Sequence, residues 1–169
     1  MNVVSRELDK IEKLANASKW ARLMYNPSKY LFGIGHRTLV YPFTKKGILK
    51  NASTFFGKRM NLLLPSGMDI YLLGGKSHDS EIRLARFILD NVKQGDTFLD
   101  IGAHFGYFSL LASSIVGEKG SVYCVEASKA TFAVLSQNVG KEKNITPFNI
   151  AISNVKSQFR TAELIMAND

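Results

Sequence analysis

The chain has 169 residues, of which 46% are hydrophobic and 21% charged, without low-complexity tracts. That composition can bury a sizeable core, and it excludes disordered and fibrous classes. One cysteine, Cys124, excludes an internal disulfide and predicts a reducing compartment and a buried structural thiol, with no metal or redox site. No run reaches the 18 or more apolar residues of a membrane span, and Met1 to Glu7 contains no apolar leader, so a soluble cytoplasmic protein is expected. The net charge of +8 is lopsided: residues 1–60 carry twelve basic and three acidic residues, while residues 61–169 carry ten and eleven. Nucleic acid, anionic lipid or an acidic glycan are the partners such a bias can serve, but the dispersed spacing reads first as a solvated face, and nucleic acid is not expected.

In chain order, Ser5 to Met24 is predicted as one helix, with Leu8, Ile11, Leu14, Ala21 and Met24 near helical spacing and Asn26-Pro27 as its stop. Tyr30 to Phe56 mixes aromatic and basic residues with Gly33, Gly35, Pro42 and Gly47, which predicts short helices and loops. Met60–Leu64 and Met68–Leu73 flank Pro65-Ser66-Gly67 and are expected to pair as a β-hairpin. After Ser77, a helical apolar face of Ile82, Ala85, Leu89 and Val92 runs towards Gly95, with Asp79 and Glu81 in the first turn. Glu81 is therefore either a capping carboxylate or a candidate for an ammonium group.

The strongest signal follows. Thr97 to Ile101 reads as a buried parallel strand, and Gly102-Ala103-His104-Phe105-Gly106 as a turn into the apolar helix Tyr107 to Val116. Free N–H groups at a helix start, with glycine beside them, suit a ligand site. A dinucleotide fingerprint has glycine at the position of His104, so a diphosphate is disfavoured. Ser121 to Val125 is a second buried strand, ending in Glu126, where nucleotide-binding α/β folds place the acid that accepts from ribose hydroxyls. Ser128 caps a further helix to about Val139, Asn144 to Ser153 holds a third strand, and Ser157 to Leu164 is a possible fourth. This order implies an α/β fold with parallel strands and right-handed crossovers. Two segments are expected: a basic, mainly helical one over residues 1–58, and the Rossmann-like part over 59–169.

The runs Phe98 to Phe108 and Val125-Glu126-Ala127-Ser128, the helix with Phe132, Leu135 and Asn138, and the strand Asn149 to Ser153 resemble the FkbM-type family of class I S-adenosylmethionine-dependent methyltransferases. The resemblance covers roughly residues 60–160. It implies a Rossmann-like methyltransferase sheet behind a helical segment and a β-hairpin, with the C-terminal half of that sheet missing from the sequence as given. It also implies S-adenosylmethionine as cofactor, with Asp100, Gly102, Ala103, His104 and Gly106 in the cofactor loop, Glu126 on the ribose diol, and the acceptor a hydroxyl of a sugar or other small metabolite. His104 stands where the family often has Asn. No catalytic base follows from the residues. The alternative reading is a non-catalytic or partner-dependent nucleotide-binding or cofactor-binding fragment. An open sheet edge would make self-association its expected behaviour.

Overall fold

In a computed structural model that describes residues 3–152, the first long helix is two helices. Helix α1, Val3–Ala15, buries Leu8 and Ile11, three residues apart on one face. It stops because the following residues cap a new start: the Ser18 hydroxyl accepts from the Ala21 N–H at 3.2 Å and opens α2, Lys19–Tyr25. Arg22 of α2 then reaches back, donating to the carbonyls of Ala15 at 2.8 Å and Ala17 at 3.1 Å, which the helix end leaves unpaired. Asn26-Pro27 ends α2, as expected, and also begins α3, Pro27–Gly35, with Asn26 as its cap. A π-helical turn, His36–Val40, continues into α4, Tyr41–Thr44, which closes at Lys45 in the left-handed conformation, φ 51°.

The hairpin lies elsewhere than the turn residues suggested. Its strands are β1, Ile48–Ser53, and β2, Arg59–Leu64, paired antiparallel with Ile48 opposite Leu64. Thr54 closes it, its hydroxyl donating to the Lys58 carbonyl at 2.9 Å and accepting from the Lys58 N–H at 3.1 Å. Met68–Leu73, expected as a strand, is helix α5, with Ile70 and Leu73 buried at the three-residue spacing of a helix face. The Pro65-Ser66-Gly67 turn starts that helix. A side chain at Gly67 would lie 2.8 Å from the Leu62 Cβ, so the turn must pack tightly on β2.

Helix α6, Asp79–Asn91, buries Ile82, Ala85 and Ile88. Its Arg86 donates to Asp9 at 3.0 Å and to Glu12 at 2.6 Å on α1. The chain divides into two compact units between Asp90 and Asn91. Position 58/59 lies between β1 and β2, which pair with each other.

The second unit follows the sequence in the order of its elements, but β3, expected as a buried strand, has no buried residue because one of its faces lies open among the described residues. Strands β3, Thr97–Ile101, β4, Ser121–Val125, and β5, Ile145–Phe148, form a parallel sheet in the order β3-β4-β5. Helices α7, Tyr107–Val116, and α8, Lys129–Val139, are the two crossovers. This is the strand-helix-strand alternation of a Rossmann-like α/β sheet. Val122 and Cys124 on one sheet face are fully buried, whereas Leu99, Ile101 two residues on, Tyr123 opposite Leu99, and Phe148, whose ring lies 6.3 Å from that of Tyr123, are exposed on the other. Pro147 is tolerated because β5 lies at an edge of the described sheet. The expected fourth strand at Ser157 to Leu164 lies outside the described residues.

Candidate functional site

Parallel strands bring the carboxyl ends of β3 and β4 to the same end of the sheet, and the chain leaves both through tight turns there. After Ile101 come Gly102 at φ 80°, His104 at φ 51° and Gly106 at φ 85°. Three left-handed residues within five fold the chain back before α7 begins. Glycine adopts that conformation freely, whereas His104 adopts it at a steric cost, so it must be held.

Glu126, the first residue after β4, holds it. One of its carboxylate oxygens, Oε2, accepts from the His104 N–H at 3.0 Å, and the other, Oε1, accepts from the Ser128 N–H at 2.9 Å, at the cap of α8. The Val125 carbonyl accepts from both Gly102 and Ala103 N–H at 2.9 Å, and the Gly106 N–H goes to the Ala103 carbonyl at 2.7 Å. Four backbone donors of the turn are thus taken by the protein itself. Asn149, beyond β5, fixes the base of the acid by donating to the carbonyls of Glu126 at 2.8 Å and Ala127 at 3.1 Å.

The two glycines differ in what they face. A Cβ at Gly106 would lie 2.6 Å from Leu135 Cδ1 and 3.3 Å from Val139 Cγ1, so this glycine lets α8 pack against the turn. A Cβ at Gly102 would meet nothing within 4 Å. The space beside Gly102 is open. Asn138 of α8 braces the same turn from below, donating to the Phe105 carbonyl at 2.8 Å.

Asp100, the penultimate residue of β3, accepts from the Ser109 hydroxyl of α7 at 2.6 Å. Burial pushes its carboxyl above the ordinary carboxylate range; the Ser109 bonds oppose the shift, and the charge of Glu126 adds to it. The structure therefore brings Asp100, Gly102, Ala103, His104, Gly106 and Glu126 together in the second unit. Glu81 belongs to the first unit, in the first turn of α6, where Lys76 pairs with it at 3.1 Å. Sequence reasoning missed Ser109 entirely, and Asn138 and Asn149 appeared only as points of resemblance. The available signal was polarity: Ser109 and Asn138 are buried polar residues inside apolar helical runs, and such groups are there for a partner.

A cleft of about 650 Å³ lined by Ser113, Gly117, Ser121 and Asn144 lies at the opposite end of β4 and shares no residue with the turn. Among the described residues no group of His, Cys, Asp and Glu could hold a metal ion, and no helix is long and apolar enough to cross a membrane.

No protein-family profile and no curated protein sequence matches the chain. Among solved structures it is similar to a SAM-dependent methyltransferase from Aquifex aeolicus, with 31% identity over 43% of this chain and 38% of that one, at a TM-score of 0.36. It is also similar to fibrillarin from Aeropyrum pernix, solved with natively bound S-adenosyl-L-methionine, with 30% identity over 40% and 31% of the two chains and a TM-score of 0.36. A putative rRNA methylase from Clostridium thermocellum matches with 23% identity over 39% and 37%, at a TM-score of 0.37. The chain spans 31–38% of the length of these three structures.

Proposed function

We propose that the glycine turn and Glu126 form a half-site for S-adenosylmethionine, and that the chain serves a methyltransferase of the FkbM type acting on a hydroxyl of a sugar or other small metabolite. The observation that carries this reading is the placement of the Glu126 carboxylate at the end of β4. Each of its oxygens accepts one backbone N–H and keeps a lone pair, so the pair of oxygens suits a ribose diol. The open space at Gly102 beside it admits a ligand that a side chain would block. The resemblance of residues 98–108 and 125–128 to the family supports the same assignment.

In this reading Gly102, Ala103 and His104 present backbone to the amino-acid part of the cofactor, and Asp100 offers negative charge to its ammonium. Gly106 acts through packing, and Glu81, already paired within the first unit, is left out. The bound cofactor supplies an electrophilic methyl group on a sulfonium. What the protein adds is alignment of the acceptor hydroxyl with that methyl group, and the Asp100 carboxylate is engaged by Ser109. Among the described residues β3 is an edge strand and Leu99, Ile101, Tyr123 and Phe148 are exposed, which makes self-association the expected behaviour of the isolated chain.

Calorimetric titration with S-adenosylhomocysteine tests the site. Wild type should bind, and Glu126→Ala should weaken binding by about 1.5–3 kcal/mol, roughly ten- to a hundredfold, the range for hydrogen bonds to a charged group. A flat titration of the wild-type chain sinks the reading. Unchanged affinity in the variant removes Glu126 from the site.

A further inference from the structure

From Lys13 to Met68 the chain contains ten lysines and arginines and no acidic residue. The same stretch exposes an unusual set of large apolar side chains: Trp20 and Met24, four apart on α2; Leu31 and Ile34, three apart on α3; and Leu39, Val40 and Phe43 through the π turn into α4. Trp20 is 76% exposed and Phe43 84%. Lys19, Arg37, Lys45 and Lys46 are interleaved with them and exposed as well. Singly exposed apolar residues are ordinary, but a run of this density marks a surface that something covers.

We infer that α2, α3, the π turn and α4 form a docking surface for an anionic phospholipid bilayer. Charge complementarity selects the occupant. A second copy would bring the same uninterrupted positive charge against itself, which repels. An RNA or DNA strand would satisfy the cations and stack on Trp20 or Phe43, but it has no use for exposed Leu31, Ile34, Leu39, Val40 and Met24. An anionic bilayer satisfies both sets: headgroups take the lysines and arginines, and the acyl boundary takes the aliphatic and aromatic side chains. Among the described residues no helix is long and apolar enough to span, so the mode is adsorption within the interface.

Trp20 is the single tryptophan of the chain, and so its emission reports this surface alone. The full chain is mixed with phosphatidylcholine vesicles, and with the same vesicles containing about a third phosphatidylserine. The expected result is a blue shift of the Trp20 emission and co-sedimentation with the anionic vesicles only, reversed by about 0.5 M salt. Arg37→Gln with Lys46→Gln should lower the vesicle affinity about tenfold or more. Leu39→Asp with Phe43→Asp should do the same through the apolar contacts; all four side chains are exposed, and circular dichroism checks that the variants keep their helices. Protein left in the supernatant with unmoved emission overturns the inference. So does a shift produced by polyuridylate but not by vesicles, or a shift that rises with protein concentration alone.

Discussion

Asp100 carries the clearest conflict between stability and use. Its carboxyl is raised from the ordinary 3.8 mainly by burial. An acid whose folded pKa lies above its unfolded one holds more protons folded than unfolded between the two values, so stability falls as the pH rises through that window and stays reduced above it. Asp100→Asn removes the charge and keeps an acceptor for Ser109. Its melting temperature should therefore equal or exceed that of wild type at pH 7, with the difference shrinking below the ordinary carboxylate range, while S-adenosylmethionine binding should weaken about tenfold, as for a lost charged partner. A variant that melts lower at pH 7 would show that the ionised acid is compensated where it stands. Glu126 poses the opposite case: with Oε2 and Oε1 on the N–H groups of His104 and Ser128, its truncation should also cost stability, about 1–3 kcal/mol for donors left unpaired. Both acids were legible in the sequence because each sits where an apolar strand breaks off. Ser109, Asn138 and Asn149 were not, because their partners lie 9, 33 and 23 residues away, and no local pattern encodes a bond of that separation.

The turn, α7 and α8 form one packed piece, and Gly106 is where they meet. Gly106→Ala places a methyl against Leu135 and Val139 in a backbone conformation that alanine resists. It should destabilise the second unit by about 2 kcal/mol or more. Gly102→Ala meets open space and bears the conformational cost alone, about 1 kcal/mol, so it should fold and lose ligand affinity. Denaturant melts of the two variants beside the same titration separate the roles; equal melts would remove the distinction. In this part of the chain continuous apolar runs with glycine and serine punctuation placed β3, α7, β4 and α8 to within a residue or two, whereas the third strand, expected within Asn144 to Ser153 and likened to the family at Asn149 to Ser153, ends at Phe148. In the first unit the punctuation misled. Pro65-Ser66-Gly67 has hairpin chemistry, yet the burial period of Ile70 and Leu73 is helical, and the true hairpin is closed by a threonine that carries no strong turn signal. The break at Asn16–Ser18 was likewise hidden, since the apolar spacing of α1 runs on into α2 while the Ser18 cap and Arg22 divide them.

At the scale of the molecule, the chain shows water two apolar surfaces of different kinds. One, on α2 to α4, is interleaved along the chain with exposed cations; the other, on the sheet, is the uncharged set Leu99, Ile101, Tyr123 and Phe148. Salt should therefore separate them, since screening weakens charge attraction and leaves apolar association in place. Light scattering of the chain alone should show particles of more than one copy that persist at about 0.5 M salt. Ile101→Lys should shift them towards monomer, because a lysine on each copy meets its like. A monomer under all conditions would sink the proposal of self-association.

Cys124 lies under α7 with no accessible surface, and burial lifts its thiol to about 11. As the single cysteine, it can be alkylated only after the second unit has opened, because neither the thiolate nor a path to it exists while the sheet is covered. The rate at which a small electrophile consumes it at neutral pH is then a clock for those openings. Ligand at the glycine turn should slow that clock by the factor its binding lends the closed state, so the thiol beneath the sheet reports occupancy at the strand ends it never touches.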